Sequence, residues 1–63
     1  MPIAHISILA GRTAEQKEQL IEKVTEAIHV SLGAPRENVR VLVVELPSSH
    51  WGIGGKSAAS LGR

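Results

Sequence analysis

The sequence predicts an α/β fold in which two parallel strands flank one helix and a small hairpin follows. Two short apolar segments, at residues 2–9 and 38–46, have the length of strands. Between them, residues 14–32 have the amphipathic period of a helix. A glycine-rich stretch lies near the end of the chain. Because two strands joined through one helix run parallel, this order predicts a β-α-β unit with a right-handed crossover.

The length and the composition limit how such a fold can be stabilised. The 63 residues predict a single domain, 1–63, that is marginally stable alone. Small domains are usually reinforced by disulfides, by a metal or by oligomerisation. The chain has no cysteine, and its three histidines match no metal-ligand spacing. We therefore expect no metal, and we expect the chain to self-associate.

The charge and the apolar runs exclude other classes of partner. A net charge of +1 and a single aromatic residue give no basis for nucleic-acid binding. No apolar run approaches the roughly 20 residues of a membrane span, and no secretory signal is evident. We expect no nucleic-acid partner, no membrane partner and a cytoplasmic location.

The first predicted strand, residues 2–9, begins with a proline. The even-numbered residues from Ala4 to Ile8 are apolar, whereas the odd-numbered residues are mixed. This alternation predicts a strand with one apolar face and one partly polar face. Proline has no backbone N–H, and it suits the first residue of a strand because no backbone hydrogen bond to the neighbouring strand has to be donated there. Alternatively, removal of Met1 would leave Pro2 with a free secondary amine, which is a base. The dipeptide alone leaves both interpretations open.

The helix has start and stop signals on both sides of its apolar stripe. Thr13 and Gln16 have the spacing of a capping box, while Gly33 and Pro35 predict the end of the helix at residue 32. The opposite, charged face is predicted to be solvated. The apolar residues recur at intervals of three and four and are Leu20, Ile21, Val24, Ala27, Ile28 and Leu32.

The second predicted strand, residues 38–46, is apolar at both odd and even positions, as in strands that are covered on both faces. A single helix covers only one face, so the other face predicts self-association. Arg40 interrupts this strand and needs Glu45, an acid of another copy or a ligand as its partner. Residues 50–56 predict a tight hairpin better than a phosphate-binding loop. Residues 57–63 are expected to be a short polar tail, as a frayed strand or a turn.

Residues with possible chemistry are few. The chain has no aspartate and no GxSxG motif, which disfavours a serine hydrolase, and it shows no cleft with paired carboxylates. Pro2, Arg12, Arg40 and Trp51 remain, and arginine binds carboxylates well. Pro2 and Arg12 lie at opposite ends of the first strand, about 25–30 Å apart. A site that uses both therefore takes Arg12 from another copy, whereas Arg40 lies at the Pro2 end.

These residues and their spacing resemble the 4-oxalocrotonate tautomerase (2-hydroxymuconate tautomerase) family over essentially the whole chain. The resemblance implies a β-α-β fold with a carboxy-terminal hairpin, assembled as a homohexamer from three dimers. It implies an isomerase of aromatic hydrocarbon catabolism that needs no cofactor and converts a 2-hydroxymuconate-like dicarboxylate enol to its conjugated ketone. The matching segments are residues 2–4, 9–12, 13–19, 39–41 and 50–55.

The resemblance also implies the catalytic residues. Pro2 would be the general base once Met1 is removed, and Arg12 and Arg40 would bind the carboxylate and carbonyl groups of the substrate. A free α-amine ordinarily has a pKa of ~7.7–8.0. In the site that the resemblance implies, an apolar pocket and nearby guanidinium groups would disfavour the charged form of the Pro2 amine and so favour the neutral base.

Two further residues complete the predicted substrate site. Trp51 stands where the family usually has phenylalanine and would form an apolar wall, and Leu9 lies at the end of the first strand. Two other functions stay open here. One is a hydratase or dehalogenase of 3-haloacrylates, or a related activity on a different enol or unsaturated acid; the haloacrylate chemistry requires a water-activating glutamate that is not evident near Pro2. The other is a non-enzymatic oligomeric scaffold, which applies if the nitrogen of Pro2 stays blocked.

Overall fold

The computed structural model describes residues 1–63, and its elements follow the predicted order. Strand β1 is Ile3–Leu9, helix α1 is Ala14–Leu32 and strand β2 is Arg40–Leu46; β3 is Gly52–Ile53 and β4 is Lys56–Ser57. Strands β1 and β2 are parallel, and β3 and β4 form an antiparallel pair. The predicted β-α-β unit with a small carboxy-terminal hairpin is therefore confirmed.

Helix α1 has the predicted bounds because both of its ends are capped. The Thr13 hydroxyl accepts a hydrogen bond from the Gln16 amide at 3.1 Å, and the Gln16 side chain accepts one from the Thr13 amide at 3.0 Å. This capping box satisfies two backbone donors at the start of the helix. At the other end Gly33 has a φ of 69° and its amide donates to the His29 carbonyl. Glycine adopts this left-handed conformation without steric cost, so the helix ends at residue 32.

Strand β2 begins two residues later than the sequence predicts. Residues Arg36–Asn38 form a single 3-10 turn, in which the amides of Asn38 and Val39 donate to carbonyls three residues earlier. Because the turn uses these donors, they are not available for pairing with β1. The parallel ladder starts where the Arg40 amide donates to the Pro2 carbonyl at 3.0 Å.

The two faces of the β1–β2 sheet differ. Glu45 of β2 contacts Lys17 of α1, so the side chain of Glu45 lies on the helix side of the sheet. Because successive side chains of a strand alternate between the faces, the other odd-numbered residues of β2 lie on that side as well. The opposite face is partly apolar, and Ile3, Leu42 and Val44 there are 54%, 46% and 48% exposed. We call this surface the open face; it consists of Ile3, His5, Ser7, Leu42 and Val44. This agrees with the expectation that a single helix covers only one face of the sheet within one chain, and coverage of the open face by another copy stays a prediction.

The helix stripe is also covered only in part. Leu20, Val24 and Ile28 are half-buried against the sheet side, whereas Ile21 and Leu32 remain exposed. Their exposure means that one chain does not bury the whole apolar surface of α1. None of the helices combines the length and the apolar character that crossing a membrane requires.

The carboxy-terminal segment folds back onto the hairpin. Gly54 and Gly55 form the tip of the hairpin with φ values of 59° and 88°, the conformation that two-residue hairpins favour. Ala58 is completely buried, and its amide donates to the Trp51 carbonyl at 2.7 Å. The Arg63 amide in turn donates to the Ala58 carbonyl at 2.8 Å. The predicted hairpin is confirmed, and the residues after it form hydrogen-bonded turns.

The single chain has almost no core. Only Val39 and Ala58 are buried. The chain exposes 4644 Å² of surface, whereas a compact monomer of its 6.7 kDa mass exposes about 3,900 Å². Its radius of gyration is 14.5 Å, against roughly 10.6 Å for a compact chain of this length. The fold is thus a thin layer with apolar surface left on both sides.

Candidate active site

Pro2 and Arg40 lie at the same end of the sheet. Pro2 is half-buried, and the ladder holds its carbonyl against the Arg40 amide. The Arg40 guanidinium donates to the Glu37 carbonyl at 2.7 Å, with a longer contact of 3.5 Å to the Val39 carbonyl. Both contacts use the same nitrogen, Nη1, so the other guanidinium donors stay available. The Arg40 side chain is therefore anchored to its own turn while it keeps donors for an anion.

The expected partners of Arg40 need one correction. Pairing with Glu45 is wrong for a single chain, because Glu45 lies near the far end of β2 and forms its ion pair with Lys17. Arg40 is also exposed rather than buried, since it is the first residue of β2 and follows a surface turn. Its guanidinium satisfies part of its hydrogen-bonding capacity with main-chain carbonyls and has no carboxylate partner.

Arg12 lies at the opposite end of β1. Gly11, with a φ of 120°, turns the chain after β1 so that Arg12 lines a cleft of about 250 Å³ between the end of the strand and the start of α1. Arg12 forms no ion pair or side-chain hydrogen bond in the chain. We call this the Arg12 cleft; it is lined by Ile8, Arg12, Gln16, Lys17 and Leu20. A free guanidinium there can bind a carboxylate.

Leu9 and Trp51 lie at the same end of the sheet as Arg12. Leu9 pairs with Leu46, the last residue of β2, and Trp51 follows the short turn Ser48–His50 after that strand. Trp51 is half-buried, and its carbonyl accepts the Ala58 amide. The hairpin therefore fixes the main chain that carries the indole ring.

The predicted site residues thus form two groups within one chain. Pro2 and Arg40 are at one end, whereas Leu9, Arg12 and Trp51 are at the other. The seven residues of β1 alone span about 23 Å. This separation agrees with the distance expected from the sequence, and it exceeds what a short dicarboxylate can bridge.

One polar pair at the Arg12 end was not anticipated. Lys17 Nζ lies 2.8 Å from Glu45 Oε1, and their side chains are 31% and 33% exposed. Lys17 belongs to the charged face of α1, for which the sequence predicts solvent exposure, and the sequence offers Glu45 only as a possible partner of Arg40. A usable signal did exist: Glu45 has the same parity as Val41 and Val43, the helix side of the sheet, and Lys17 is in the first turn of α1.

The ion pairs leave the two predicted arginines without carboxylate partners. Glu26 pairs with Arg36, and Glu45 pairs with Lys17. Arg12 and Arg40 keep their positive charge uncompensated at opposite ends of the sheet. Because guanidinium groups bind carboxylates through paired hydrogen bonds, both can hold anionic ligands.

Known proteins are similar to this chain over its whole length. Residues 2–60 match the family model described as tautomerase enzyme. The 2-hydroxymuconate tautomerase of Stutzerimonas stutzeri is 59% identical over 63 residues, which are 100% of both chains. A structure of the 4-oxalocrotonate tautomerase isozymes from Methylibium petroleiphilum has a TM-score of 0.95 and 55% identity, and covers 98% of this chain and 100% of its own.

A more distant relative has the same fold. The heterohexamer 4-oxalocrotonate tautomerase from Chloroflexus aurantiacus J-10-fl has a TM-score of 0.92 at 36% identity, covering 97% of this chain and 98% of its own. These similarities favour enol–keto tautomerisation over the haloacrylate and scaffold alternatives. The chain therefore belongs to the tautomerase enzyme family and is an isomerase that interconverts enol and keto forms.

Proposed function

We propose that the chain converts 2-hydroxymuconate, or a closely similar dicarboxylate enol, to its conjugated ketone. The observation that carries this substrate is the full-length similarity to a relative named for 2-hydroxymuconate. The two unpaired arginines support it, because a substrate with two carboxylates needs two separate cationic groups.

Pro2 is the general base in the proposed mechanism. Its neutral amine takes the proton from the 2-hydroxyl group of the dienol, so the O–H bond breaks and a carbonyl forms. The conjugated electrons move along the chain, and the protonated amine returns the proton to a carbon atom. Atoms and charge balance without a cofactor, because one proton moves within the substrate.

The arginines and the apolar residues hold the substrate in this mechanism. Arg40, at the Pro2 end, stabilises the negative charge that develops on the carbonyl oxygen and the adjacent carboxylate. The distal carboxylate is bound by Arg12 of another copy, because Pro2 and Arg12 of the same copy are separated by the whole length of β1. Trp51 and Leu9 lie at the Arg12 end, so they would also come from another copy, where they form an apolar wall that keeps water out and strengthens these electrostatic contacts.

The amine chemistry requires that Met1 be removed. With Met1 in place the nitrogen of Pro2 belongs to a peptide bond and has no basic lone pair. We propose that the active protein is a single domain that begins at Pro2. The cytoplasmic location stays a prediction from the sequence.

We also propose that the chain forms a homohexamer, a trimer of dimers. The exposed apolar residues of the open face and of α1, together with only two buried residues, support self-association. The relative from Chloroflexus aurantiacus is described as a heterohexamer, which supports the number of copies. Assembly would bring Arg12 of one copy to Pro2 of another, and so complete the site.

Ultraviolet-monitored ketonisation of 2-hydroxymuconate tests this function. Intact mass first establishes that the protein begins at Pro2, and a variant with an uncleaved extension before Pro2 serves as the control. We expect rapid turnover by the processed protein, and a loss of orders of magnitude on Pro2→Ala or Arg40→Ala with the oligomer intact. A processed, folded oligomer that does not accelerate ketonisation would refute the proposed substrate.

A further inference from the structure

We propose that Lys17 is a positioning residue that keeps Arg12 free for the substrate by neutralising Glu45. The inference rests on the proposed function, in which Arg12 binds the distal carboxylate. It concerns a pair outside the predicted site, and it assigns the cation to protection of Arg12 rather than to substrate binding.

The first step of the argument is the position of Glu45. In the ladder Glu45 pairs with Ile8, and neighbouring strands lie about 4.8 Å apart. Ile8 lines the Arg12 cleft, as do Lys17 and Arg12 itself. The side chain of Glu45 is on the same face of the sheet as that of Ile8, so its carboxylate borders the cleft.

The second step is the distribution of charge around the cleft. Lys17 and Arg12 are the cations that line it, and Glu45 is the carboxylate bound at its border. Lys17 holds Glu45 at 2.8 Å, while Arg12 has no carboxylate partner. Without Lys17, the unpaired carboxylate would attract Arg12 and repel the carboxylate of the substrate. Both effects weaken binding of a dicarboxylate.

The third step is an asymmetry between the two members of the pair. Loss of Lys17 leaves an unpaired anion at the cleft, whereas loss of Glu45 leaves an additional cation there. A merely structural ion pair between α1 and β2 would lose the same contact in both cases. Single and double substitutions therefore separate the protective role from the structural one.

The test uses Lys17→Met, Glu45→Gln and the double variant, each processed to Pro2 and checked for an unchanged oligomer mass. Substrates are 2-hydroxymuconate and the monocarboxylate enol 2-hydroxypenta-2,4-dienoate, which lacks the distal carboxylate. We expect Lys17→Met to raise the KM for the dicarboxylate about tenfold, the size of a lost charge-assisted hydrogen bond. Its kcat and its KM for the monocarboxylate should stay at the wild-type values.

The other two variants decide the interpretation. Glu45→Gln alone should not raise the KM for the dicarboxylate. Adding Glu45→Gln to Lys17→Met should return this KM to the wild-type value. The protective role would be overturned if both single variants raised the KM for the dicarboxylate equally, or if the double variant showed no rescue. It would also be overturned if the KM for the monocarboxylate rose as much as that for the dicarboxylate. If Lys17→Met does not assemble, Glu45→Gln still decides, because the structural role predicts a higher KM for it.

Failure of the proposed tautomerase function would give different kinetic results from failure of the role of Lys17. Arg12→Ala should raise the KM for the dicarboxylate and leave the monocarboxylate unaffected. If the wild-type protein does not turn over 2-hydroxymuconate, or if Arg12→Ala does not distinguish the two substrates, the proposed role of Arg12 fails. If Arg12→Ala behaves as expected and the Lys17 series does not, only the role of Lys17 fails.

Discussion

Mixed oligomers of two impaired variants should recover activity toward 2-hydroxymuconate, because the proposed site takes Pro2 and Arg12 from different copies. Within one chain the seven residues of β1 place these residues about 23 Å apart or more. Pro2→Ala lacks the base and Arg12→Ala lacks the distal cation, so each pure oligomer has only defective sites. When both variants are present in one oligomer, some sites receive an intact Pro2 from one copy and an intact Arg12 from another.

The size of the recovery follows from the statistics of assembly. In an equal, random mixture, half of the copies supply an intact Pro2 and half of their neighbours an intact Arg12. About a quarter of the sites are then complete. If one copy supplied both residues, no site would be complete, because no chain carries both intact. The expected kcat/KM for 2-hydroxymuconate is thus about a quarter of the wild-type value, plus the residual activity of the parents.

The assay unfolds the two variants together, refolds them and follows ketonisation by ultraviolet absorbance. Native mass spectrometry confirms that both variants occur in the same oligomer. Each variant is also refolded alone as the control for residual activity. Mixed oligomers no more active than the mean of the two parents would refute the division of the site between copies.

The remaining predictions concern assembly and stability. Leu42→Glu should dissociate the oligomer, seen as a lower native mass, because burying this half-exposed leucine contributes about 1 kcal/mol per copy and a buried unpaired carboxylate costs several more. Gln19→Glu, which adds the same charge on an exposed position of α1, should leave the mass unchanged. Thr13→Ala should lower the free energy of unfolding by about 1 kcal/mol in denaturant titrations, because it removes the capping box, and an unchanged midpoint would contradict this. Gly33→Ala should also cost about 1 kcal/mol, since φ is positive there.

Local signals in the sequence predicted the elements well because the physics that decides them is local. The capping box at Thr13 and the left-handed Gly33 fix α1 without any contact to the sheet. The start of β2 was misplaced because the turn Arg36–Asn38 competes for the same amides, and apolar periodicity does not show this competition. The Lys17–Glu45 pair was missed because it joins residues 28 positions apart. Only the packing of α1 against β2 brings these two side chains together.

The thin core and the separation of Pro2 from Arg12 have a common origin in the topology. Two parallel strands must be joined by a crossover, so the chain starts at one end of the sheet and the β1–α1 turn lies at the other. Pro2 and Arg12 are on these two ends, and no side-chain movement within one chain brings them together. A single helix, likewise, covers only one face of the sheet, and the open face keeps Leu42 and Val44 exposed. Assembly of further copies would resolve both problems at once, so conditions that dissociate the oligomer should remove activity together with stability.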